Sequence, residues 1–157
     1  PMLDEPIRRL SNAANFSKLW IAAAAGLAAL GGSRGRRASV TGLAAIGVTS
    51  AIVNQGIKRL YPRGRPDRDG GEVPEARHVR MPSSTSFPSG HSASGFAFAT
   101  AVSSQLPVIG VPLHFLAAAV AYSRVHTGVH YPGDVVIGSL VGAGIGEIVA
   151  GVARRPA

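Results

Sequence analysis

The sequence contains no cysteine, few aromatic residues and little charge. The absence of cysteine excludes a disulfide-stapled scaffold, and it excludes zinc and iron–sulfur sites built on thiolates. Only 15% of the 157 residues are charged whereas 46% are hydrophobic, a composition that excludes an intrinsically disordered chain. A chain of this length is about one domain.

The charges that are present are mostly basic. Sixteen Lys and Arg against eight Asp and Glu give a net charge of +8, which suits an anionic membrane surface, a phosphorylated ligand or nucleic acid. These charges flank long runs that contain no Asp, Glu, Lys or Arg. We therefore expect a membrane and a phosphorylated lipid as partners and no nucleic acid. The sequence specifies no oligomeric state.

Four stretches are apolar enough to be considered as membrane spans: Leu19–Ser33, Ala38–Ile57, Met81–Ser123 and Val135–Val152. A bilayer-spanning helix needs about 20 mostly apolar residues. Ala38–Ile57 and Val135–Val152 fit this length. Met81–Ser123 is long enough for two helices with a break at Pro107–Pro112, and Leu19–Ser33 is the weakest candidate because it is short and Ala-rich.

A soluble all-α bundle is the alternative interpretation of these stretches. A soluble helix normally shows a charged face opposite its apolar stripe, and these stretches show none. Small residues such as Gly138, Gly142 and Gly144 instead suit close helix packing in lipid. The predicted fold is therefore all-α, a transmembrane bundle of about five to six helices that includes an amphipathic N-terminal helix.

That N-terminal helix is expected within residues 1–18. Apolar residues recur there at spacings of four, three and four from Leu3 to Ala14, so the helix is amphipathic and suited to the membrane interface. Asp4 is the expected N-cap. No basic start leads directly into an apolar run with a small-residue cleavage site, so no cleavable signal peptide is expected. Further sequence is expected upstream of Pro1.

Three polar clusters interrupt the apolar pattern. Lys58–Pro66 follows the span Ala38–Ile57, Pro88–His91 opens the next span, and Ser123–Asp134 straddles the loop before the last one. If the spans are antiparallel, all three clusters fall at the same membrane face. The count of segments alone therefore predicts that they form one site.

Two kinds of group in these clusters suit a phosphate: cationic side chains and the backbone N–H groups at a helix start. Lys58, Arg65 and Arg124 supply three cations, of which the Arg guanidinium presents a planar fork that matches phosphate oxygens. Ser89 and Gly90 stand at the start of a predicted helix, where free backbone N–H groups and the helix dipole attract anions. These five residues are the predicted phosphate-binding set.

The remaining cluster residues suit acid–base or nucleophilic chemistry. His91 and His130 can act as acid, base or nucleophile near neutral pH. Asp134 follows His130 by four residues and can hold its second ring nitrogen, which fixes the tautomer. Nucleophile, orienting group, acid and phosphate site are thus all present.

A metal site is the competing interpretation of the third cluster. His126, His130 and Asp134 are spaced like the ligands on a zinc-binding helix. Gly128 and Pro132 lie between them and oppose a continuous helix, and three neighbouring cations would repel a divalent ion. We therefore predict no metal and expect His126 to be a loop histidine near the mouth of the pocket.

Other polar residues need no functional role. His114 lies in an apolar run and is expected to be a satisfied core or interface histidine. His78, Arg59, Arg68 and Arg77 lie in the long polar segment and are expected to be solvated.

The sequence resembles the type-2 phosphatidic acid phosphatase superfamily in three signature motifs: Lys58-x6-Arg65-Pro66, Pro88-Ser89-Gly90-His91 and Ser123-Arg124-x5-His130-x3-Asp134. The resemblance extends over about Ala38–Val152. It implies one membrane-embedded phosphatase domain over residues 1–157, with an active-site loop at 58–90.

The resemblance also implies a multi-pass protein of the cell membrane that hydrolyses a lipid phosphomonoester without metal or other cofactor. His130 would form a phosphohistidine, Asp134 would orient His130, and His91 would protonate the leaving oxygen and then activate water. Candidate substrates are phosphatidate, phosphatidylglycerol phosphate and polyprenyl phosphates or diphosphates. Decaprenylphosphoryl-phosphoribose, a precursor in cell-wall synthesis, is a further candidate.

Two alternatives to a membrane phosphatase remain at this stage. The superfamily includes vanadium-dependent haloperoxidases, but those are soluble and larger, so the apolar spans argue against them. A protein that binds or transports a lipid phosphate without turnover would keep the cations and lose a histidine. Both His91 and His130 are present, which favours an enzyme.

The orientation of the site in the membrane is left open by the charges. Most basic residues fall on the side of the predicted site, which the positive-inside rule assigns to the cytoplasm. The short loop predicted at Arg34–Arg37 lies on the other side and argues for the reverse.

Overall fold

The described residues form six helices. The computed structural model describes residues 2–68 and 73–154, so Pro1 and residues 69–72 of the predicted 58–90 loop lie outside the described residues. The helices are α1 Asp4–Ala13, α2 Lys18–Leu30, α3 Gly32–Leu60, α4 Gly90–Ser103, α5 Pro107–His126 and α6 Pro132–Ala153. No strand occurs among the described residues. The predicted all-α bundle is confirmed.

Three of these helices are long and apolar enough to cross a membrane. They are α3, α5 and α6, with 29, 20 and 22 residues. The segments Asp4–Ala13 and Asn15–Leu30, bent by 66° relative to each other, supply a fourth if they count as one span. α4 has 14 residues and is shorter than the about 20 that a bilayer requires. α4 is a buried central helix, packed against α3, α5 and α6.

α3 is longer at both ends than the predicted span Ala38–Ile57. Gly31 alone joins it to α2, so Arg34–Arg37 belong to the helix and the predicted loop there is wrong. At the other end the helix continues to Leu60, with Ala51–Ile57 wound as a π-helix. The helix ends there because Pro62 disfavours helical geometry at the preceding residue. The loop that was predicted from residue 58 therefore begins at residue 61.

Glycines on α6 bring it into backbone contact with α4. A Cβ at Gly138 would lie 2.5 Å from the Ser89 carbonyl oxygen, and one at Gly142 would lie 2.0 Å from the Ala93 carbonyl oxygen. Close packing through Gly138 and Gly142 is thereby confirmed. Gly144 faces open space, so the same prediction for Gly144 is wrong.

The contact between α4 and α6 also joins their first turns. The Ser89 N–H donates to the Asp134 carbonyl oxygen at 2.9 Å. The second and third sequence clusters are thus linked by the backbone itself.

The polar residues around α1 differ from expectation. Leu3, not Asp4, is the N-cap of α1, and the Asp4 carboxylate accepts from Arg77 Nε and His126 Nε2, both at 2.9 Å. Arg77 is therefore held in a salt bridge instead of being solvated. His126 is the last residue of α5, not a loop residue, because the chain turns out of the helix only at Gly128, which has φ of 65°.

Two further polar residues of the long loop are also held by the protein. Arg68 donates to the Val79 carbonyl oxygen at 3.0 Å, and His78 Nε2 lies 2.9 Å from the Val73 carbonyl oxygen. Their predicted solvation is wrong because the loop folds back on itself and supplies carbonyl partners. Arg59 is exposed, as expected.

His114 behaves as a satisfied interface histidine, as predicted. Its Nδ1 lies 2.8 Å from the Gly110 carbonyl oxygen and its Nε2 lies 3.2 Å from Thr100 Oγ1. Both ring nitrogens therefore have partners on α4 or α5.

Candidate active site

A cavity of about 270 Å³ lies where the three sequence clusters meet. Five of the predicted site residues line it: Lys58, Arg65, Gly90, His91 and His130. The N-terminal segment closes part of its wall with residues that the sequence motifs do not include: Ala14, Phe16, Ser17 and Trp20.

His130 and Asp134 form a buried pair. Their side chains are 1% and 0% exposed, and His130 Nδ1 lies 3.5 Å from Asp134 Oδ2. α6 begins at Pro132, which suits the first position of a helix, and Asp134 stands in the first turn, where a carboxylate is favoured by the dipole. Asp134 Oδ2 also accepts the Tyr131 N–H at 3.0 Å. The same carboxylate thus caps α6 and faces His130.

Arg65 defines which nitrogen of His130 carries the proton. Arg65 NH1 lies 3.2 Å from His130 Nε2, and a guanidinium can only donate. Nε2 must therefore accept, so the proton of the neutral ring is on Nδ1, on the side of Asp134. The lone pair of Nε2 accepts from Arg65, another residue of the cavity lining, and it becomes available for nucleophilic attack only when Arg65 turns to a phosphate oxygen.

Two partners of Asp134 were not predicted from the sequence. Arg63 NH1 donates to Asp134 Oδ1 at 2.9 Å, and its guanidinium lies 4.2 Å from the centre of the Tyr131 ring. Ser86 Oγ donates to Asp134 Oδ2 and lies 3.4 Å from His130 Nδ1. Arg63 lies within the cluster Lys58–Pro66, but nothing in the sequence distinguishes it from basic residues that are expected to be solvated. Ser86 carried no signal beyond its position shortly before Pro88.

Lys58 and Arg65 are held in place by one short segment. Lys58 Nζ donates to Ser84 Oγ and to the Thr85 carbonyl oxygen, both at 3.1 Å. Arg65 Nε donates to the Ser84 carbonyl oxygen at 2.9 Å, and its NH1 donates to the Val129 carbonyl oxygen at 2.6 Å. Ser84 was not predicted as a site residue, yet it fixes both cations before any ligand arrives.

Arg124 and Ser89 are near the cavity but are not part of its lining. Arg124 is 1% exposed, and its NH1 donates to Ser11 Oγ at 2.7 Å and to the Ser11 carbonyl oxygen at 3.2 Å. The Ser89 N–H is engaged by the Asp134 carbonyl group, and the Ser89 side chain caps α4 through Ser92. Of the predicted anion-binding pair, Gly90 is the one that lines the cavity.

His91 is the second residue of α4 and lines the same cavity. Its Nε2 lies 2.9 Å from Asn15 Oδ1. Asn15 belongs to the N-terminal segment and was not among the predicted site residues.

The electrostatics favour an unprotonated His130 and an anionic ligand. Burial, followed by the charges of Arg65, Arg124 and Lys58, holds the pKa of His130 well below its ordinary value of 6.5. Burial also lowers the pKa of Arg65, and the Asp134 carboxylate opposes that shift. At the site, cationic side chains thus outnumber the buried Asp134 carboxylate, and a phosphate dianion would offset their charge.

The residues of the competing metal interpretation do not come together. His126 bonds Asp4 of α1, whereas His130 and Asp134 lie together at the cavity, with His130 Nδ1 3.5 Å from Asp134 Oδ2. Within residues 2–68 and 73–154, no group of three His, Cys, Asp or Glu side chains is arranged to hold a metal ion.

Two named proteins are similar to this chain in sequence. The chain is 43% identical over 100 residues to decaprenylphosphoryl-5-phosphoribose phosphatase of Mycobacterium tuberculosis, a match that covers 61% of this chain and 51% of that protein. It is 38% identical over 133 residues to the protein of the same name from Mycolicibacterium smegmatis, covering 83% of this chain and 68% of that one. This chain thus spans about half the length of the M. tuberculosis relative.

A solved structure and a family model agree with these relatives. The crystal structure of a transmembrane PAP2 type phosphatidylglycerolphosphate phosphatase from Bacillus subtilis superimposes with a TM-score of 0.72 at 25% identity, covering 97% of this chain and 77% of that one. The model of the PAP2 superfamily matches residues 39–155. The three motifs, the helical bundle and these matches together place the chain in one family, and it belongs to the PAP2 superfamily.

Proposed function

We propose that this protein is an integral membrane phosphatase that hydrolyses the phosphomonoester of a lipid phosphate. The observation that carries the proposal is the orientation of His130, whose Nδ1 faces Asp134 while Nε2 faces Arg65, a cation that a phosphate group would draw away from it. A nucleophile held by an orienting carboxylate beside fixed cations is the arrangement that phosphoryl transfer requires.

In the first step His130 Nε2 attacks phosphorus in line with the lipid oxygen. The N–P bond forms as the P–O bond to the lipid breaks, and the bonding electrons go to the leaving oxygen. His91 supplies the proton that this alkoxide needs. Burial and the neighbouring cations lower the pKa of His91, so the bound phosphate dianion has to offset their charge for His91 to carry that proton. Asp134 stabilises the positive charge that develops on the His130 ring.

In the second step water hydrolyses the phosphohistidine. His91, now unprotonated, accepts a proton from water as its oxygen attacks phosphorus and the N–P bond breaks. Lys58, Arg65 and the backbone N–H of Gly90 would bind the equatorial oxygens in both steps, where the transition-state charge is spread. Arg124 and Ser89 do not line the cavity and would stabilise the phosphate charge from behind the residues that do.

The substrate class that we favour is a polyprenyl-linked sugar phosphate in the cell membrane. Two relatives with 38–43% identity are named as phosphatases of decaprenylphosphoryl-5-phosphoribose. Glycerolipid phosphates such as phosphatidate and phosphatidylglycerol phosphate are the competing substrates, because a structural relative is named for the latter.

A panel of substrates tests both levels of the proposal. The full chain in detergent micelles is given a decaprenyl-linked ribose 5-phosphate, phosphatidate and phosphatidylglycerol phosphate, and phosphate release is measured. We expect turnover of all three at different rates, with the highest kcat/KM for the polyprenyl substrate. A higher kcat/KM for a glycerolipid would overturn the substrate assignment alone. Stoichiometric binding with no release from any of them would identify a binding protein and overturn the enzymatic proposal.

A further inference from the structure

Two residues of the N-terminal segment contact two residues of the site. Ser11 is the buried residue of α1, and Asn15 follows that helix within a short 3-10 turn. Ser11 bonds Arg124 and Asn15 bonds His91. Both lie outside residues 39–155, the part of the chain that the family model matches.

The contact of Asn15 determines how the His91 ring is presented. Asn15 Oδ1 is an acceptor, so a hydrogen bond at 2.9 Å requires a proton on His91 Nε2. Nδ1 is then the nitrogen that can take up and give away a proton. An amide oxygen that holds one ring nitrogen, while the other does the chemistry, is the arrangement of Cys-His-Asn proteases.

The contact of Ser11 holds the guanidinium of Arg124. Arg124 is 1% exposed, and its NH1 donates to both the hydroxyl and the carbonyl oxygen of Ser11. Its Nε is buried and has no protein partner among the described residues. The side chain is therefore fixed from one side only, and Ser11 supplies that side.

The chain between α1 and α2 is bent in a way that brings Asn15 to His91. Phe16 and Ser17 are consecutive non-glycine residues with φ of 55° and 57°, a left-handed conformation that side chains with a Cβ disfavour. Trp20 anchors the next turn, since it is 1% exposed and its ring centre lies 5.7 Å from that of Phe98 on α4. Strain of this kind persists only where the surrounding contacts impose it.

We propose that Asn15 and Ser11 are positioning residues of the phosphatase reaction, Asn15 for the proton donor His91 and Ser11 for Arg124, whose buried charge lies behind the residues that line the cavity. The inference rests on the proposed function. On this inference, the N-terminal segment contributes two residues to the site in addition to those of the three motifs.

Dependence on the leaving group separates a positioning role from a structural one. A lipid or simple alkyl phosphate needs a proton on its leaving oxygen, whereas p-nitrophenolate leaves largely unaided. Asn15→Ala should therefore lower kcat for an alkyl phosphate about tenfold to a hundredfold, the effect typical of partners that orient a histidine. Its burst of phosphoenzyme formation from p-nitrophenyl phosphate should change by less than about threefold.

Three companion variants complete the experiment on the full chain in detergent. Asn15→Asp keeps an oxygen acceptor and should restore most of the alkyl phosphate turnover. Asn12→Ala, at an exposed position of α1, is the matched control and should behave as wild type. Adding Asn15→Ala to His91→Ala should cause no further loss, because both changes remove the same function.

Ser11 is tested through ligand binding. Ser11→Ala should raise the inhibition constant for vanadate about threefold to tenfold, the effect of one ordinary hydrogen bond, because the Ser11 carbonyl oxygen would still accept from Arg124. It should leave the ratio of alkyl to p-nitrophenyl rates unchanged. Unaltered vanadate inhibition would overturn the role of Ser11.

The remaining outcomes each decide the inference about Asn15. Equal losses with both substrates, or an additive loss on top of His91→Ala, would show a structural role and overturn it. An active wild type with an unaffected Asn15→Ala would overturn the inference and leave the proposed function standing. A wild type without turnover of any phosphate ester would overturn both.

Discussion

A single methyl group at Gly142 should separate the two helices that carry the site. The Cβ of an alanine there would lie 2.0 Å from the Ala93 carbonyl oxygen, where ordinary contacts begin at 3.4 Å. The obstructing atom belongs to the backbone of α4, so no side chain can rotate away. α4 and α6 must move apart by more than about 1 Å, because a packed helix interface cannot absorb the difference otherwise.

The structure sets the size of the effect on stability and activity. Overpacking of this kind costs about 1–3 kcal/mol, and the better helix propensity of alanine returns at most about 1 kcal/mol. Gly142 lies two turns after Asp134 on α6, and Ala93 lies one turn after Ser89 on α4. Moving the helices apart at Gly142 should therefore also lengthen the 2.9 Å hydrogen bond from the Ser89 N–H to the Asp134 carbonyl oxygen. A displacement of about 1 Å in a catalytic group can lower the rate about 100-fold.

The assay compares Gly142→Ala with a matched control on the same helix. Gly144 faces open space, so Gly144→Ala adds the same methyl group without a clash. Thermal unfolding in detergent and kcat/KM for a lipid phosphate are measured for both. We expect a lower Tm and at least a tenfold lower kcat/KM for Gly142→Ala only. If the two variants are indistinguishable, close packing of α4 on α6 does not position the site.

Three further predictions concern the charges of the site. Arg63→Ala removes the guanidinium that pairs with the buried Asp134 carboxylate and should lower kcat about tenfold, whereas Arg59→Ala, at an exposed position, should not; equal rates would contradict the role of the pair. The pKa of His130 is lowered in the folded protein, so below its ordinary value of 6.5 the imidazole is protonated in the unfolded chain but not in the folded one. The free energy of unfolding should therefore fall as the pH drops below 6.5. The Tm difference between about pH 7.5 and about pH 5 should shrink in His130→Gln, and an unchanged difference would show that His130 does not titrate as argued. Turnover should persist in EDTA and be inhibited by vanadate; loss in EDTA that Mg²⁺ or Zn²⁺ restores would contradict the metal-free prediction.

Much of the site could be predicted because its residues are tied to signals that are local in the sequence. Asp134 lies in the first turn of a helix that a proline begins, and His130 lies four residues before it. Ser89 caps α4 and so fixes where His91 stands. Antiparallel packing of the apolar stretches then brings these ends together, and the stretches themselves were visible as gaps in the charge pattern.

The remaining features depend on contacts that are remote in sequence. Asn15 meets His91 across 76 positions, and Ser11 meets Arg124 across 113, with no pattern in either segment to indicate a partner. The same limit explains why Arg77 was expected to be solvated, since its partner Asp4 is 73 positions away. The burial of α4 could not be predicted either, because a short apolar helix packed among other helices has the same composition as one that faces lipid.

The central claim is that His130 becomes covalently phosphorylated, and trapping that intermediate tests it most directly. The full chain is mixed with a radiolabelled lipid phosphate, quenched in alkali, where phosphohistidine survives, and the labelled peptide is identified. The label should appear on His130 and be absent from His130→Ala. With radiolabelled p-nitrophenyl phosphate, whose leaving group needs no proton, it should accumulate in His91→Ala, where hydrolysis of the intermediate is slowed. A labelled phosphoenzyme in His130→Ala, or turnover by that variant at the wild-type rate, would contradict the account.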